Sequence, residues 1–350
     1  MRRVRRALAS ALLLGGAVAC SAAPSPSPAP SPAPSPAPSL RPLRWTAVEL
    51  PSGALPLLVR AGDGVILVAT RSGELASMYR LPATGAVAPA PVRLEPHSVY
   101  APGARWVDLA TDGSRVLALG RASGGAHGLP RWTVWDGTPE HLVERPQPFE
   151  TFGGPRSGGL AAVGLGQQAV LAGTWDDGGP GLDLRLWTTN AQHLWNRLPA
   201  APTLASTDRL LPQPVAVAWS STTLVVTGSV TDLGEGSSVV TRASTWTAAS
   251  PDGPWTRHDL PTTSTSARAT GAACDGDTCW TVGLDGDHPA AWQVGPHGVT
   301  RAPLPAAAST GSTRARPRCI TRRERSTCGR SRSPVRSCTS ARACPARFTA

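Results

Sequence analysis

The repeating pattern of this chain is clearest in Ala216-Val217-Ala218-Trp219-Ser220-Ser221-Thr222-Thr223-Leu224-Val225-Val226-Thr227-Gly228. An apolar run, a polar turn and a second apolar run ending in glycine indicate a β-hairpin. Five such units occur, and their second strands end at positions 70, 120, 173, 228 and 283, in steps of 50 to 55 residues; the first ends in threonine and the other four end in glycine. The last four units also carry a turn residue seven positions before the closing glycine, namely Gly113, Gly166, Ser221 and Gly276. The body of the chain is therefore a repeat of hairpin-containing units.

The second half of each unit carries tryptophan and often a Leu-Pro pair, as in Trp246, Trp255 and Leu260-Pro261. An apolar hairpin followed by a more polar hairpin makes one four-stranded blade, and repeats of this length predict an all-β fold, the β-propeller. We expect about five recognisable blades over residues 42–308, from an ancestor with six or seven, because residues 45–51 match the end of a unit without its beginning. Such a truncated propeller would expose an unpaired blade edge. The competing fold is a pair of β-sandwiches, and the near-constant repeat length argues against it.

One turn allows a family comparison. Ser250-Pro251-Asp252-Gly253-Pro254-Trp255 is similar to the Asp-box turn, Ser-x-Asp-x-Gly-x-x-Trp, but is two residues shorter. On this motif, residues 42–308 resemble the BNR or sialidase-like propellers. The resemblance implies a propeller in which Asp252 caps backbone N–H groups, and it implies no catalysis by this turn. Sialidase chemistry would need an arginine cluster and a Tyr–Glu pair; the only tyrosines are Tyr79 and Tyr100, Tyr100 has no assignable glutamate partner, and no arginine matches a family motif.

The N-terminus reads as an export signal that ends in a lipid-attachment site. Four arginines precede the apolar run 7–18, which is too short to span a bilayer, and small residues then lead directly into Cys20. The segment resembles the lipobox of bacterial lipoproteins, with Ala17 where leucine is usual. We expect residues 1–20 to be a lipoprotein signal peptide and Cys20 to carry the lipid. An ordinary cleaved signal and a retained helical anchor are the alternatives.

Two segments flank the propeller and differ from it in composition. Residues 21–41 place proline at every second position from Pro24 to Pro38, which predicts a disordered, extended stalk. Residues 309–350 lose the strand pattern and become rich in Arg, Ser, Pro and Cys, which predicts a disordered tail. We interpret this tail as the product of a shifted reading frame. A basic arm for anionic polymers and plain low complexity are the alternatives. All 34 basic residues are arginine, which suggests a GC-rich, actinobacterial genome.

The charge distribution removes nucleic acid as an expected partner. The formal net charge is +11, but residues 311–350 hold eleven Arg and one Glu, and the signal segment holds four more Arg. The remaining residues, 21–310, are therefore mildly acidic, at −3. A basic surface that would hold the body on a polyanion is not predicted.

Few residues of the propeller have the spacing of a functional site. Cys274 and Cys279 flank a tight turn, and in an oxidising compartment we expect them to form a structural disulfide. Asp275, Asp277 and Asp285 lack the spacing of a calcium loop and are interpreted as turn-capping residues. The G-x-G-x-x-A match at residues 164–169 precedes a strand instead of opening a helix and is interpreted as a hairpin turn. We predict no catalytic residue, cofactor or metal.

These observations favour a binding function. We expect a propeller on a stalk, outside the cytoplasm and anchored to the cell membrane by the lipid on Cys20, which binds a glycan or a protein without catalysis. A sialidase-like glycoside hydrolase with an incomplete site is one alternative. A structural protein of the cell envelope is the other.

Overall fold

The computed structural model describes residues 47–84, 88–124, 128–236, 238–295 and 298–304. These residues form five sheets that follow one another along the chain, and every pairing but one is antiparallel. Four sheets have four strands in simple meander order. The all-β propeller with five blades is therefore confirmed. The predicted signal peptide with Cys20, the stalk and the tail lie outside the described residues.

The first two blades contain nine strands. Blade 1 consists of β1 (Ala54–Gly62), β2 (Val65–Ser72), β3 (Leu75–Pro82) and β4 (Ala90–Pro91). Blade 2 consists of β5 (Arg93–Glu95), β6 (Arg105–Thr111), β7 (Val116–Ala122), β8 (Arg131–Thr138) and β9 (His141–Glu144). The additional strand β5 pairs in parallel with β9 at the outer edge, so blade 2 has five strands where the repeat predicted four.

The remaining three blades have four strands each. Blade 3 consists of β10 (Ser157–Leu165), β11 (Ala169–Trp175), β12 (Asp183–Thr189) and β13 (Trp195–Arg197). Blade 4 consists of β14 (Leu210–Trp219), β15 (Leu224–Leu233), β16 (Val239–Ala248) and β17 (Thr256–Asp259). Blade 5 consists of β18 (Ala267–Asp275), β19 (Thr278–Asp285), β20 (His288–Gly295) and β21 (Gly298–Arg301). A short helix, α1 (Phe149–Phe152), and one 3-10 turn at Pro202–Leu204 lie between blades. Neither described helix is long and apolar enough to cross a membrane.

The blades form an arc around their innermost strands. β1, β6, β10, β14 and β18 are innermost, and each packs against the next in that order. No comparable packing joins β18 back to β1 among the described residues. The arc therefore has a first blade and a last blade, each with one neighbour.

The closing glycine of each unit has a steric cause. The innermost strand of each of the last four blades contains a β-bulge opposite this glycine, and a bulge brings one backbone carbonyl out of line. A Cβ atom added to Gly173 would lie 2.3 Å from the carbonyl oxygen of Gly159, and one added to Gly228 would lie 2.0 Å from that of Gln213. Gly283 meets the carbonyl of Arg268 in the same way, at 2.1 Å. In blades 3, 4 and 5 glycine is therefore kept because no side chain fits beside the bulge, whereas blade 1 carries Thr70 opposite its own bulge.

Buried tryptophans fill the space between blades. The third strand of each of blades 2 to 5 carries one fully buried indole, and two of these four donate to carbonyls of the preceding connection. Trp187 Nε1 donates to the Thr151 carbonyl at 2.9 Å, and Trp292 Nε1 donates to the Pro261 carbonyl at 2.7 Å. These two indoles thus contribute apolar area and also fix the chain segment that leads into their own blade.

Buried carboxylates join neighbouring segments where tryptophan does not. Asp108 on β6 accepts from Arg60 on β1 at 2.6 Å and from the Val163 N–H on β10 at 2.9 Å, so one side chain connects three consecutive innermost strands. Burial raises the pKa of Asp108, although Arg60 opposes the shift. Asp183 accepts from both the N–H and the hydroxyl of Ser206, at 2.7 and 2.9 Å. These contacts hold the blades in register.

Candidate functional site

The candidate site is a cleft around Trp132, where blade 2 meets blade 3. β8 extends beyond its outer neighbour, because β9 pairs only with residues 135–138. The edge of residues 131–133 is therefore left without a strand partner in the described chain. Two hollows of about 180 and 280 Å³ lie against this edge, and Trp132 lines both. We call this pair of hollows the Trp132 cleft.

One side of the Trp132 cleft is aromatic. The Arg131 guanidinium carbon lies 4.1 Å from the ring centre of Phe149 and 5.4 Å from that of Tyr100. Such cation–π contacts fix the guanidinium without using its N–H donors. The α1 helix brings Phe149 to this position, and an added Cβ at Gly153 would collide with the Phe149 ring.

The other side of the cleft is formed by glycine at the start of blade 3. Gly159 has φ +109°, and an added Cβ would lie 3.2 Å from Trp132 Cζ2. Gly158 is equally confined, since its Cβ would lie 2.2 Å from Thr174 Oγ1. The indole of Trp132 therefore lies against Gly159, where an added side chain would crowd it, while Gly158 allows the close packing of β10 on Thr174.

Two hydrogen-bond donors in this cleft have no acceptor. Arg131 Nε and Trp132 Nε1 are both buried, and neither has a hydrogen-bond partner among the described residues. Leaving a buried donor unsatisfied costs about 1–3 kcal/mol. The nearby Glu144 carboxylate does not serve them, because it accepts from the His97 N–H at 2.6 Å and from the N–H and hydroxyl of Ser98 at 2.7 and 2.6 Å. Both donors therefore adjoin the cleft without an acceptor among the described residues.

Positive charge adjoins these donors. The strand register places Arg105 opposite Arg121 and Arg121 opposite Trp132, so the three side chains form one row on one face of blade 2. No residue that the structure describes forms an ion pair with Arg105, Arg121 or Arg131. This end of blade 2 is therefore basic without internal compensation.

A second arginine cluster lies on blade 3 and is neutralised from within. Asp177 pairs with the buried Arg185, and the Nη2 atoms of Arg156 and Arg197 lie 3.7 and 3.9 Å from its Oδ1. Arg197 stacks on Trp175 at 4.1 Å, and desolvation lowers the pKa of Arg197 against the attraction of Asp177. Because the Asp177 carboxylate is paired with all three guanidinium groups, this cluster anchors the loop between β11 and β12.

A histidine–aspartate contact joins the opposite ends of blades 2 and 3. His193 Nδ1 lies 2.7 Å from Asp136 Oδ2, and the Arg145 Nε–H donates to Asp136 Oδ1 at 2.9 Å. His193 has φ +59°, which the hydrogen bonds of the Asn190 side chain to the surrounding turn support. The Gln147 amide donates to the His193 carbonyl and accepts from the Trp195 N–H. The arrangement holds the two blades together. Among the described residues it places no further acid, base or nucleophile beside the His193–Asp136 pair.

The predicted site residues of the propeller lie away from the Trp132 cleft. Cys274 and Cys279 face each other across β18 and β19 and are disulfide-bonded. Asp285 accepts from the N–H and hydroxyl of Thr263 and from the Ser264 N–H, and no group of three or more His, Cys, Asp or Glu side chains that could hold a metal occurs in the described part of the chain.

Two of the predicted turns are formed, one of them with different contacts. Residues 166–168 form the turn between β10 and β11. In the turn at residues 250–255, Ser250 Oγ and Trp255 Nε1 donate to backbone carbonyls. The Asp252 side chain makes no hydrogen bond there to any described residue, so the expected capping by aspartate is replaced by serine and tryptophan.

Sequence reasoning missed the residues of the Trp132 cleft. Of these residues, it considered only Tyr100, as a possible nucleophile, whereas the structure places Tyr100 beside Arg131. The available signal was the glycine pairs at residues 153–154 and 158–159, which flank a strand start where the repeat needs no turn. Arg105 and Arg121 also stood at equivalent ends of one hairpin.

No protein-family model matches this chain, and no curated protein matches its sequence. Solved structures are similar at low identity. The phage phi92 endosialidase is 8% identical with a TM-score of 0.45, and the match covers 71% of this chain and 56% of that chain. A protein of unknown function from Dyadobacter fermentans is 10% identical with a TM-score of 0.49, covering 77% and 88%. An exo-1,5-α-L-arabinanase from a bovine ruminal metagenomic library is 7% identical with a TM-score of 0.42, covering 75% and 98%. Similarity at this level assigns no activity, ligand or residue role to this chain.

Proposed function

We propose that this protein is an extracytoplasmic propeller, tethered to the cell membrane, that binds an acidic glycan in the Trp132 cleft without cleaving it. The observation that carries the proposal is the pair of buried, unpartnered donors Arg131 Nε and Trp132 Nε1. A sugar presents several hydroxyl and ring oxygens, so a glycan that spans the two hollows supplies the acceptors that these donors lack. An aromatic lining with a small number of fixed polar groups is typical of a small-molecule site.

The arginines favour an acidic sugar over a neutral one. Arg105 and Arg121 lie in the same row as Trp132, and they are uncompensated within the described chain. A carboxylate or sulfate on the ligand would pair with them, and guanidinium groups bind such oxyanions through two parallel hydrogen bonds.

Binding is favoured over hydrolysis by the carboxylates of the cleft. Glycoside hydrolysis commonly uses two carboxyl groups about 5–10 Å apart on either side of the scissile bond. The described lining residues include one carboxylate, Glu144, and its oxygens accept three hydrogen bonds from residues 97 and 98. Glu144 therefore shapes the cleft instead of acting as a free acid or base.

The membrane tether is part of the proposal and rests on the sequence. In this proposal the lipid on Cys20 anchors the chain, and the composition of residues 21–41 predicts an extended stalk of roughly 60 Å, at about 3.1 Å per residue. A glycan-binding module on such a stalk can reach polymers of the cell envelope.

The experiment is a titration of the purified full chain with three polymers of matched size: oligogalacturonate, dextran sulfate and neutral dextran. We expect saturable binding to one or both acidic polymers, with no reducing sugar released from oligogalacturonate. Binding to carboxylated or sulfated polymer alone identifies the acidic group. Equal binding to neutral dextran would contradict the acidic ligand, and release of reducing ends would contradict a function without catalysis.

A matched pair of variants locates the site. Trp132→Phe keeps an aromatic side chain, although a smaller one, and removes the N–H donor, so we expect binding to weaken about tenfold, which corresponds to about 1.4 kcal/mol. Trp219 Nε1 is also buried without a partner among the described residues but lies on blade 4, away from the cleft. Trp219→Phe should therefore leave binding unchanged. Equal affinity of Trp132→Phe and the wild type would exclude the Trp132 cleft.

A further inference from the structure

The last blade has one face that no other described blade covers. The second strands of blades 1 to 4 are buried on both sides over their central residues, as in Val225–Thr227 of β15. In β19 burial alternates: Cys279 and Thr281 are buried, whereas Trp280 and Val282 are 40% and 49% exposed. Alternation is the pattern of a strand with one solvated face. We call the exposed side, formed around Trp280 and Val282, the free face of blade 5.

The free face of blade 5 is built like an interface. Trp280 is paired with Ala273, and Val282 lies between Gly271 and Ala291 in the register of the sheet. Because large apolar side chains stand among small ones, the face has protrusions and depressions, and the side chains of another sheet can pack into the depressions. In blade 4 the corresponding strand is covered by blade 5, since Val225 packs with Cys279 and Val294. A sheet therefore occupies this position wherever a neighbour exists.

The two long segments that flank the propeller are poorly suited to cover this face. Residues 21–41 and 309–350 are rich in Pro, Ser and Arg and lack the alternating apolar pattern of a strand. A second copy of the chain, by contrast, presents the same apolar sheet. We propose that two copies pair through the free faces of their fifth blades, around a two-fold axis.

Charge at the two ends of the free face selects the orientation. Asp275 lies at one end, in the same alternation as Ala273, and Arg268 lies at the other end, opposite Leu284. Neither makes an ion pair with a described residue. When the strands of the two copies run antiparallel, Asp275 meets Arg268 of the partner subunit. When they run parallel, each carboxylate meets its own copy and repels it, so the antiparallel pairing is selected.

The size of the face implies a weak dimer. Four strands about 4.8 Å apart and about eight residues long cover roughly 400–500 Å², which is about half of the 800 Å² that each partner of a stable interface usually buries. We expect dissociation constants on the order of 10 μM or weaker in solution. Tethering both copies to one membrane would raise their effective concentration.

Sedimentation velocity of the purified full chain over a concentration series tests this pairing. We expect a monomer–dimer equilibrium that Val282→Arg weakens at least about tenfold. The control is Val239→Arg on β16, where valine is 61% exposed and lies on another blade; it should dimerise like the wild type. Since both valines are exposed, neither variant should lose its fold, and circular dichroism checks this.

Charge exchange tests the orientation. Asp275→Arg and Arg268→Asp should each weaken the dimer, and the double variant should restore it, because the two pairs re-form with opposite sign. A monomer at all concentrations, or a dimer that Val282→Arg leaves intact, would overturn the proposal. So would protection of Trp280 from acrylamide quenching in the monomer, because another part of the chain would then cover the face. Dimerisation is independent of glycan binding, so either proposal can fail alone.

Discussion

Arg105 and Arg121 lie directly opposite each other on β6 and β7, with Trp132 next in the same row. Like charges in directly opposed positions destabilise a sheet by a few tenths of a kcal/mol to about 1 kcal/mol. Neither guanidinium is paired with an acidic residue of the described chain. The row therefore lowers the stability of the sheet but forms a surface that attracts an oxyanion, which the proposed acidic glycan would supply.

Replacing one of these arginines should separate stability from binding. In Arg121→Gln we expect the free energy of unfolding to rise by about 0.5 kcal/mol, because the repulsion disappears, while affinity for the acidic polymer falls about tenfold. Denaturant unfolding and titration with oligogalacturonate measure the two effects. Arg115→Gln, an exposed arginine outside the Trp132 cleft, serves as the control and should leave the affinity unchanged. A variant that loses stability and keeps its affinity would contradict this account of the row.

The closing glycine of blade 4 should tolerate no side chain. The methyl group of Gly228→Ala would lie 2.0 Å from the Gln213 carbonyl oxygen and 3.0 Å from the Pro214 Cα. Both are backbone atoms in a bulge, so relief requires the innermost strand to move, and we expect a loss of about 2–4 kcal/mol. Gly295→Ala, whose methyl group meets nothing within 4 Å, should change stability by less than about 0.5 kcal/mol. Equal midpoints of urea unfolding for the two variants would refute the steric explanation.

Acid should remove the contribution of Asp285. Burial alone would raise the pKa of this carboxyl, but the hydrogen bonds from Thr263, Ser264 and Arg301 outweigh it and hold the pKa well below its ordinary value of 3.8. A lowered folded-state pKa means that the contribution is fully present above about pH 4 and is lost as the pH falls further.

Two aspartate variants test this dependence. Asp285→Asn should lose about 2 kcal/mol at pH 7, and its deficit against the wild type should shrink as the pH falls below 4. Asp287→Asn, at an exposed position two residues away, should follow the wild type at every pH. Urea unfolding at pH 7, 5 and 3 measures this, and a deficit that stays constant down to pH 3 would show that the charge of Asp285 is not involved.

The disulfide should stabilise blade 5 modestly. Cys274 and Cys279 are five positions apart, so the bond closes a short loop, and loop-closure entropy for such a loop corresponds to about 2 kcal/mol. We expect the double variant Cys274→Ser, Cys279→Ser to lose about this amount and to be insensitive to dithiothreitol. Peptide-level mass spectrometry should find both cysteines alkylated only after reduction. Alkylation of either one without reduction would contradict the bond.

Much of the fold was predictable because its signals are local. The hairpins follow from apolar runs and turn residues that lie next to each other in the chain, and the blade count follows from the spacing of glycines 120, 173, 228 and 283. The strand β5 was not predictable, because Arg93–Glu95 has no apolar alternation and pairs with a distant strand. His141 on β9 and His97 both contact Glu95 on β5, and these contacts lower the pKa of Glu95.

The sequence by itself determined the repeat, the positions of most strands and turns, and the glycine that closes the second strand in the last four units. These features depend on periodicity and on backbone space within one hairpin. The Trp132 cleft depended on tertiary structure. Packing of blade 3 against blade 2 brings Gly159 to the indole and α1 to Arg131, while β9 ends too early to cover the edge of β8. The free face of blade 5 was likewise decided by what packs beside it: β19 has the apolar sequence of an inner strand, and only the arrangement of the blades leaves Trp280 and Val282 exposed.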